Sequence, residues 1–526
     1  MPKFNAKTMK TLFKQFLTCG LIASAVVFLS GCDDEEDPGP QLTGNTKQYV
    51  LNAVSDPAIS GTVTFAERDD DQVLITIQLN GTQSGSMHPA HIHANSAAET
   101  GPIVLDLNEV NGTDGKSETI VNALNDGTAI SYDDLLDFDG YVNVHASSSD
   151  LGTLVAQGDI GQNELTGDNK VYALTPVADP AVTGTATFAK RKNGSTLVTV
   201  ALTGTQAGAT HPSHIHANTI AQGGSIVINL NNVDGTSGMA VSNVDTLNNG
   251  TAITYEQLLD FNGYLNVHTG NTFVVQADIG GNELTGDAKI YAMTPVADPE
   301  VSGMVTFEKR KKGTTLVTIA LEGTQAGAMH PAHFHANTIA ETGGIVINLK
   351  ALNGTTGMSQ TSVDTLNNGD AITYEQLLDF NGYINVHTGS TFVVQADIGQ
   401  NELTGDHQHY ALNEVGGSGV SGEVTFDKRK NGKAQITIAL EGTVDGGDHP
   451  AHIHANNAAT DGTIVLDLNN VNGATGMSVT SANKLKDGTE ITYDQLVAYN
   501  GHVNVHASVA DLGTLIAQGD IGSNAP

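Results

Sequence analysis

Residues 88–95 read HPAHIHAN, placing three histidines within six residues of a 526-residue chain that has only 19. The stretch returns as HPSHIHAN from His211, HPAHFHAN from His330 and HPAHIHAN from His449. Each copy is followed, 52 residues after its last histidine, by another histidine in an Asn-Val-His triplet: His93 to His145, His216 to His268, His335 to His387 and His454 to His506. Sixteen histidines belong to this pattern, and only His407, His409 and His502 fall outside it. The copies start 123, 119 and 119 residues apart, a period of domain size rather than that of a solenoid. A chain this long exceeds one hydrophobic core, and the period divides it into four similar domains.

Within one unit, KQYVLNAV, GTVTFAER, QVLITIQLNG, HIHAN, GPIVLDL, GYVNVHAS and GTLVAQGDIG are short runs with period-2 alternation, separated by turn residues. They predict about seven strands per unit, hence an all-β sandwich or closed barrel. One short helix interrupts them. SYDDLLDF at 131, TYEQLLDF at 254 and 373, and TYDQLVAY at 492 each start on Ser or Thr with Asp or Gln three residues on, a capping-box pattern. Its acids Asp133, Asp134 and Asp137 read as solvated. The expected domains are 46–161, 167–280, 286–399 and 405–522, joined by polar connections of the type GQNELTGD.

In a strand, residues i and i+2 share a face, so His91 and His93 project together, and His145 completes a tripod if its strand runs alongside. Three neutral imidazoles suit copper, zinc, nickel and iron. The expected ligand sets are His91, His93 and His145; His214, His216 and His268; His333, His335 and His387; and His452, His454 and His506. His88, His211, His330 and His449 precede the regular strand, each as a fourth ligand or as a group that fixes the turn or a ligand tautomer. The competing reading is a set of hydrogen-bonded structural histidines. Four copies at fixed spacing favour a shared task. Asn143, Asn266, Asn385 and Asn504 share a face with the triplet histidine and are expected to orient it. His407 and His409 occur in one unit and read as surface residues, while His502 stands where the others have Tyr141, Tyr264 and Tyr383.

The N-terminus has Lys3, Lys7, Lys10 and Lys14, then the apolar run FLTCGLIASAVVFLSG, then Cys32. Residues 1–31 read as a signal peptide, since the apolar run is shorter than the ~20 residues of a membrane span. LSGC at 29–32 resembles a bacterial lipobox, which implies lipidation of Cys32. Residues 32–45 read as an acidic flexible tether. The expected location is the cell envelope, lipid-anchored, with the outer membrane or cell surface ahead of the inner membrane. Cys19 leaves with the signal peptide and Cys32 carries lipid, so the domains rely on packing without disulfides. Removing four lysines takes the formal charge from −34 to about −38, which argues against nucleic acid as a partner. There is no phosphate loop, nucleophile elbow, H-E-x-x-H helix or regular calcium ladder.

The HPAHIHAN stretch and the GYVNVHAS…GTLVAQGDIG ending resemble the CHRD domain, named from chordin, in four copies over nearly all of residues 46–522. Members of that family usually carry Arg in the last strand; Gln157, Gln276, Gln395 and Gln518 stand there instead. A more distant resemblance is to copper/zinc superoxide dismutase, carried by GTVTFAER, LNGTQSGSMHPAHIHA and NVHASSSDLGTLVAQGDIG. It implies a Greek-key β-barrel, puts His91, His93 and His145 on copper-ligand positions, and puts His88 on a structural histidine. The departures are large. No histidine lies between His93 and His145, the disulfide cysteines are absent, and Leu154, Val274, Val393 and Leu515 occupy the place of the substrate-guiding arginine. Dismutase activity is therefore not expected.

The leading expectation is a lipid-anchored extracytoplasmic protein of four CHRD domains. Each binds up to one metal ion, copper ahead of zinc, with sequestration as the role and the lipid as the membrane link. The alternatives are a non-catalytic surface module that engages an extracellular protein or matrix partner, its histidines structural, and a copper-dependent oxidoreductase. Repetition favours avidity over turnover, so an enzyme is the weaker expectation.

Overall fold

A computed structural model describes residues 39–525. The segment read as signal peptide, most of the residues read as tether, and Cys32 lie outside the described residues.

The first repeat comprises β1 (Leu42–Ala53), β2 (Ser60–Arg68), β3 (Val73–Asn80), β4 (Met87–Ala94), β5 (Ile103–Asn111), β6 (Lys116–Val121), α1 (Tyr132–Leu136), β7 (Asp139–Ser147) and β8 (Asp150–Gly161). The strands close into an antiparallel barrel in the order β1-β2-β3-β6-β5-β4-β7-β8. In this order β3 lies beside β6 and β7 beside β4, the placement of a returning strand in a Greek key. Three further closed barrels repeat it, over Leu165–Gly280, Leu284–Gly399 and Leu403–Gly522.

Period-2 alternation builds each wall. In β2, Val63 and Phe65 are fully buried while Thr62 and Thr64 are not, and β3 buries Val73, Ile75, Ile77 and Leu79 in the same way. Each such side chain contributes about 1.5–3 kcal/mol of burial. Every barrel has its own apolar core. The helix closes one end. Ser131 accepts from the Asp134 N–H, the Asp134 carboxylate accepts from the Ser131 N–H, and Tyr132 and Leu135 turn inward.

Two expectations are corrected. There are eight strands per unit, not about seven. The additional one, KSETIV in the first repeat, buries only Ser117 and Val121, so it lacks the apolar alternation that reveals the others. The first strands also begin early, at Leu42 rather than 46, and at Leu165, Leu284 and Leu403 rather than 167, 286 and 405. Their opening residues are exposed and joined to the neighbouring strand through a bulge: Leu42 faces Arg68 and the regular register resumes at Thr46. Only pairing, not burial, makes them strand.

Connectors of three residues link the barrels, and each carries the same joint. Arg310 of the third barrel is fully buried, with Nη1 2.6 Å from Asp278 Oδ2 of the second and 2.5 Å from the carbonyl of Asn282 in the connector. Arg429 makes the same contacts to Asp397 and Asn401, and Arg191 lies 2.8 Å from Asp159. The connector glutamate Glu164 receives Lys47 from one barrel and Lys192 from the next, and Glu283 and Glu402 repeat this. Burial raises the pKa of Glu164, but the two ammonium groups outweigh it and hold the carboxyl below its ordinary range. Clefts of about 800 Å³ and 600 Å³ lie at the second and third joints, lined partly by Asp278 with Arg310 and by Asp397 with Glu402; no triad histidine lines either.

Candidate metal centre

β4 and β7 are antiparallel neighbours, with His91 opposite Asn143 and His93 opposite Tyr141. Ala90, Ile92, Val142 and Val144 point into the core, so alternation sends His91, His93, Asn143 and His145 to the outer face of the barrel wall. There the loop after β4 and the turn between β7 and β8 cover them: His93 and His145 are buried, and the His91 side chain is 15% exposed.

The loop after β4 begins with Asn95 in the left-handed region (φ 67°), its side chain donating to the Thr100 carbonyl. Asn tolerates that conformation, and it recurs at Asn218, Asn337 and Asn456. The loop ends at Gly101, where any Cβ would sit 2.0 Å from the Ala94 carbonyl oxygen. Only glycine permits that approach. It brings the Gly101 carbonyl within 2.9 Å of His93 Nδ1. The Leu151 carbonyl likewise lies 2.7 Å from His145 Nδ1. Both Nδ1 atoms therefore carry the proton and donate it, which leaves both Nε2 lone pairs facing the site. His91 Nδ1 lies 3.1 Å from His145 Nε2, with room for one proton or one metal ion between them.

The ligand atoms of His91, His93 and His145 lie within 4.8 Å of one another, as do those of His214, His216 and His268, of His333, His335 and His387, and of His452, His454 and His506. The Nδ1-to-Nε2 separation is 3.2, 3.1 and 3.1 Å in the second to fourth barrels. Nitrogens bound at about 2.0–2.1 Å around a tetrahedral ion stand roughly 3.3–3.4 Å apart. The donor set fits a small divalent or cuprous ion. Burial pushes the His91 imidazole below the ordinary 6.5, and His145 adds to the shift. His145, His214, His268, His333, His387, His452 and His506 are also lowered, chiefly by burial, which favours the neutral form a metal needs.

The histidine that opens each stretch is not part of these groups. His88 Nδ1 lies 3.0 Å from the His145 carbonyl and Nε2 lies 2.8 Å from Ser86 Oγ, so it ties β4 to the backbone carrying His145. His211, His330 and His449 reach the same strand end through Thr269, through the His387 carbonyl and Thr388, and through the His506 and Ala507 carbonyls. The asparagines also differ from expectation. Asn143 Nδ2 lies 3.4 Å from His93 Nε2, and Asn385 Nδ2 lies 3.1 Å from His335 Nε2, so they attend the β4 histidine rather than the triplet one. The reason is register: Asn143 lies across from His91, two positions along β7 from Tyr141, the residue across from His93, and so on the same face.

Sequence reasoning missed two features. Gln157, noted only as replacing Arg, donates to Asn143 Oδ1 at 2.8 Å, and Gln518 does the same to Asn504 at 2.7 Å. In the fourth barrel, Asp461 joins His454 and His502 in a further group of ligand atoms within 4.8 Å. Aligning the residue before the loop glycine, Thr100, Gly223, Thr342 and Asp461, would have exposed that change. His407 and His409 are exposed.

The fold and sites together define a tandem array of β-barrels, each bearing an outer-wall histidine triad. The CHRD domain model matches residues 41–154, 162–272 and 282–391, more than half of the chain, and the protein belongs to the CHRD domain family. The fourth barrel lies outside the matched residues but has the same strand order and triad. No curated protein matches the chain. Among solved structures, a biofilm associated protein (BSP domain) is 12% identical, covering 91% of this chain and 96% of its own at a TM-score of 0.14. A tetra-tandem repeat from the extending region of a large adhesion protein is also 12% identical, covering 86% and 96% at a TM-score of 0.12. Scores this low carry no shared fold.

Proposed function

We propose that each barrel holds one metal ion through three imidazoles, with copper ahead of zinc, and that the protein serves as a lipid-anchored metal-sequestering array in the cell envelope. One observation carries the reading: in the first barrel the Gly101 and Leu151 carbonyls accept hydrogen bonds from Nδ1 of His93 and His145, which leaves both Nε2 lone pairs free to serve a group whose ligand atoms lie within 4.8 Å of one another. In the first barrel those lone pairs face Asn143 Nδ2 and His91 Nδ1, and an ion bound by the three imidazoles would replace both hydrogen bonds. Without metal, one proton on His91 Nδ1 bridges to His145; with an ion bound there, His91 would carry its proton on Nε2 instead. Copper leads because all-imidazole sites rank it above zinc in the affinity order. The anchor rests on LSGC at 29–32.

The test is metal content by mass spectrometry after exposing metal-free protein to copper and zinc at equal concentration. The expected result is one equivalent per barrel, copper exceeding zinc, with His91→Ala or His145→Ala removing one equivalent from the chain. Uptake unchanged in both variants rejects the triad as a site.

A second reading, a surface-interaction array, is favoured by the three repeated joints. Buried arginines hold successive barrels in fixed succession, as suits the presentation of repeated surfaces at a distance from the membrane. The two readings are compatible, since metal on the outer wall does not consume the joints.

A further inference from the structure

The fourth barrel departs from the others at two neighbouring positions. Where the first has Tyr141 and Thr100, and the third Tyr383 and Thr342, it has His502 and Asp461. His502 lies beside His454 where tyrosine stacks elsewhere, its ring tilted by 30° at a centroid distance of 5.1 Å, against 22° and 4.9 Å for His93 and Tyr141. It is fully buried. Its Nδ1 lies 3.0 Å from the Asn456 carbonyl, to which it donates, so Nε2 carries the lone pair. That Nε2 is shut off from solvent with no hydrogen-bond partner, and it faces Asp461 Oδ1 at 3.4 Å. The same carboxylate oxygen lies 3.5 Å from His454 Nδ1.

We propose that the fourth barrel binds a second divalent metal ion through His502 Nε2, the Asp461 carboxylate and His454 Nδ1, so that the His454 imidazole is shared between this ion and the one at His452 and His506. The site itself stands on its own ligands; only the sharing rests on the triad reading above. Separations of 3.4 and 3.5 Å match the edge of a tetrahedron around an ion with bonds near 2.0–2.1 Å, about 3.3–3.4 Å. Two imidazoles and a carboxylate suit zinc, and the exposed side of Asp461 leaves space for water to complete the coordination. The His454 Nδ1 proton, directed at the Gly462 carbonyl 2.8 Å away, is released to solvent as the ion binds. No electron moves.

A structural account covers only part of this. The Gly462 N–H donates to Asp461 at 2.8 Å, as the Gly101 N–H donates to the Tyr141 hydroxyl at 3.1 Å in the first barrel, so Asp461 replaces a lost acceptor. That explains the carboxylate, but with its proton on Nδ1 the His502 ring has no hydrogen at Nε2 to give that carboxylate, whereas an ion would join the two. Burying such a nitrogen without a partner is unfavourable, and a bound ion supplies the partner.

The experiment loads the metal-free full-length chain with zinc(II) and counts bound ions by mass spectrometry. The expected content is one equivalent more than the number of barrels. The double variant His502→Tyr, Asp461→Thr restores the pair that the first barrel carries, which secures its folding, and should lose one equivalent only. A double variant that holds as much zinc as the parent overturns the site, leaving an ion pair in its place. A companion, His452→Ala with His506→Ala, separates the two readings. If the parent binds a single equivalent that survives this change and disappears in the His502/Asp461 variant, the triads fail and the second site stands. Loading with copper(II) tests the sharing: an imidazolate between two ions couples their spins, so the paramagnetic signal should fall short of the copper content in the parent and match it in the double variant. A signal equal to content in both overturns the bridge.

Discussion

The Arg310 guanidinium of the third barrel lies fully buried with Nη1 2.6 Å from Asp278 of the second. Asp278 also accepts the Ile220 N–H at 2.8 Å, from the loop that ends in the Gly224 carbonyl facing His216. The joint between two barrels and the loop covering a triad are thus one hydrogen-bonded structure.

Removing the arginine leaves that carboxylate without its counter-charge. Arg310→Ala should therefore lower stability by about 3–5 kcal/mol, the cost typical of a broken buried pair. Calorimetry should show a lower transition for the two flanking barrels, and hydrogen exchange should rise in residues 218–224. Unchanged exchange there would separate the joint from the site.

His88 Nδ1 donates to the His145 carbonyl, and His88 lies outside the triad of ligand atoms. His88→Ala should lower the melting temperature through roughly 1–3 kcal/mol from the unpaired His145 carbonyl, while the first barrel keeps its full metal equivalent. Loss of the equivalent, as in His145→Ala, would make His88 a ligand.

Gln157 reaches His93 through Asn143. Supporting groups of this kind change metal affinity about 10–100-fold. Gln157→Ala should weaken the first site by a factor in that range at unchanged stoichiometry, read by competition with a chromophoric chelator. Unaltered affinity would mean that the amide pair serves packing only.

Eight triad histidines have folded-state pKa values below the ordinary 6.5, chiefly through burial. Between those values and 6.5 the unfolded chain binds more protons than the folded one, so stability rises with pH across this window. Metal-free protein should lose stability as pH falls below 6.5 and level off once the folded imidazoles also protonate. Bound metal should steepen the loss, since protons displace it. Chemical denaturation of the metal-free protein from about pH 8 to pH 5 checks the sign; a flat profile would remove the histidines from the linkage.

Much of this was legible in the chain itself. Alternation in GTVTFAER and QVLITIQLNG marks half-buried strands, the Ser131–Asp134 spacing marks the helix cap, and a histidine repeat spaced by 52 residues marks both the number of domains and the membership of each triad. These are local or periodic properties, written in the order of residue types. The KSETIV strand escaped because, of its two buried residues, Ser117 and Val121, only the second is apolar, too few to show as alternation. The joints escaped, since the connections read only as polar links; their one trace is that Arg191, Arg310 and Arg429 sit in RKNG or RKKG, whereas Arg68 is followed by Asp69 and pairs with Asp70 within its own barrel.

Tertiary structure alone decided which nitrogen faces which neighbour. Whether His88 binds metal or carbonyl, whether Asn143 attends His93 or His145, and whether Asp461 meets His502 depend on strand register and loop closure, where a shift of one residue turns a side chain to the other face. Sequence spacing specifies that the histidines meet; only the closed barrel, with the Gly101 and Leu151 carbonyls in place, settles where their protons and lone pairs point.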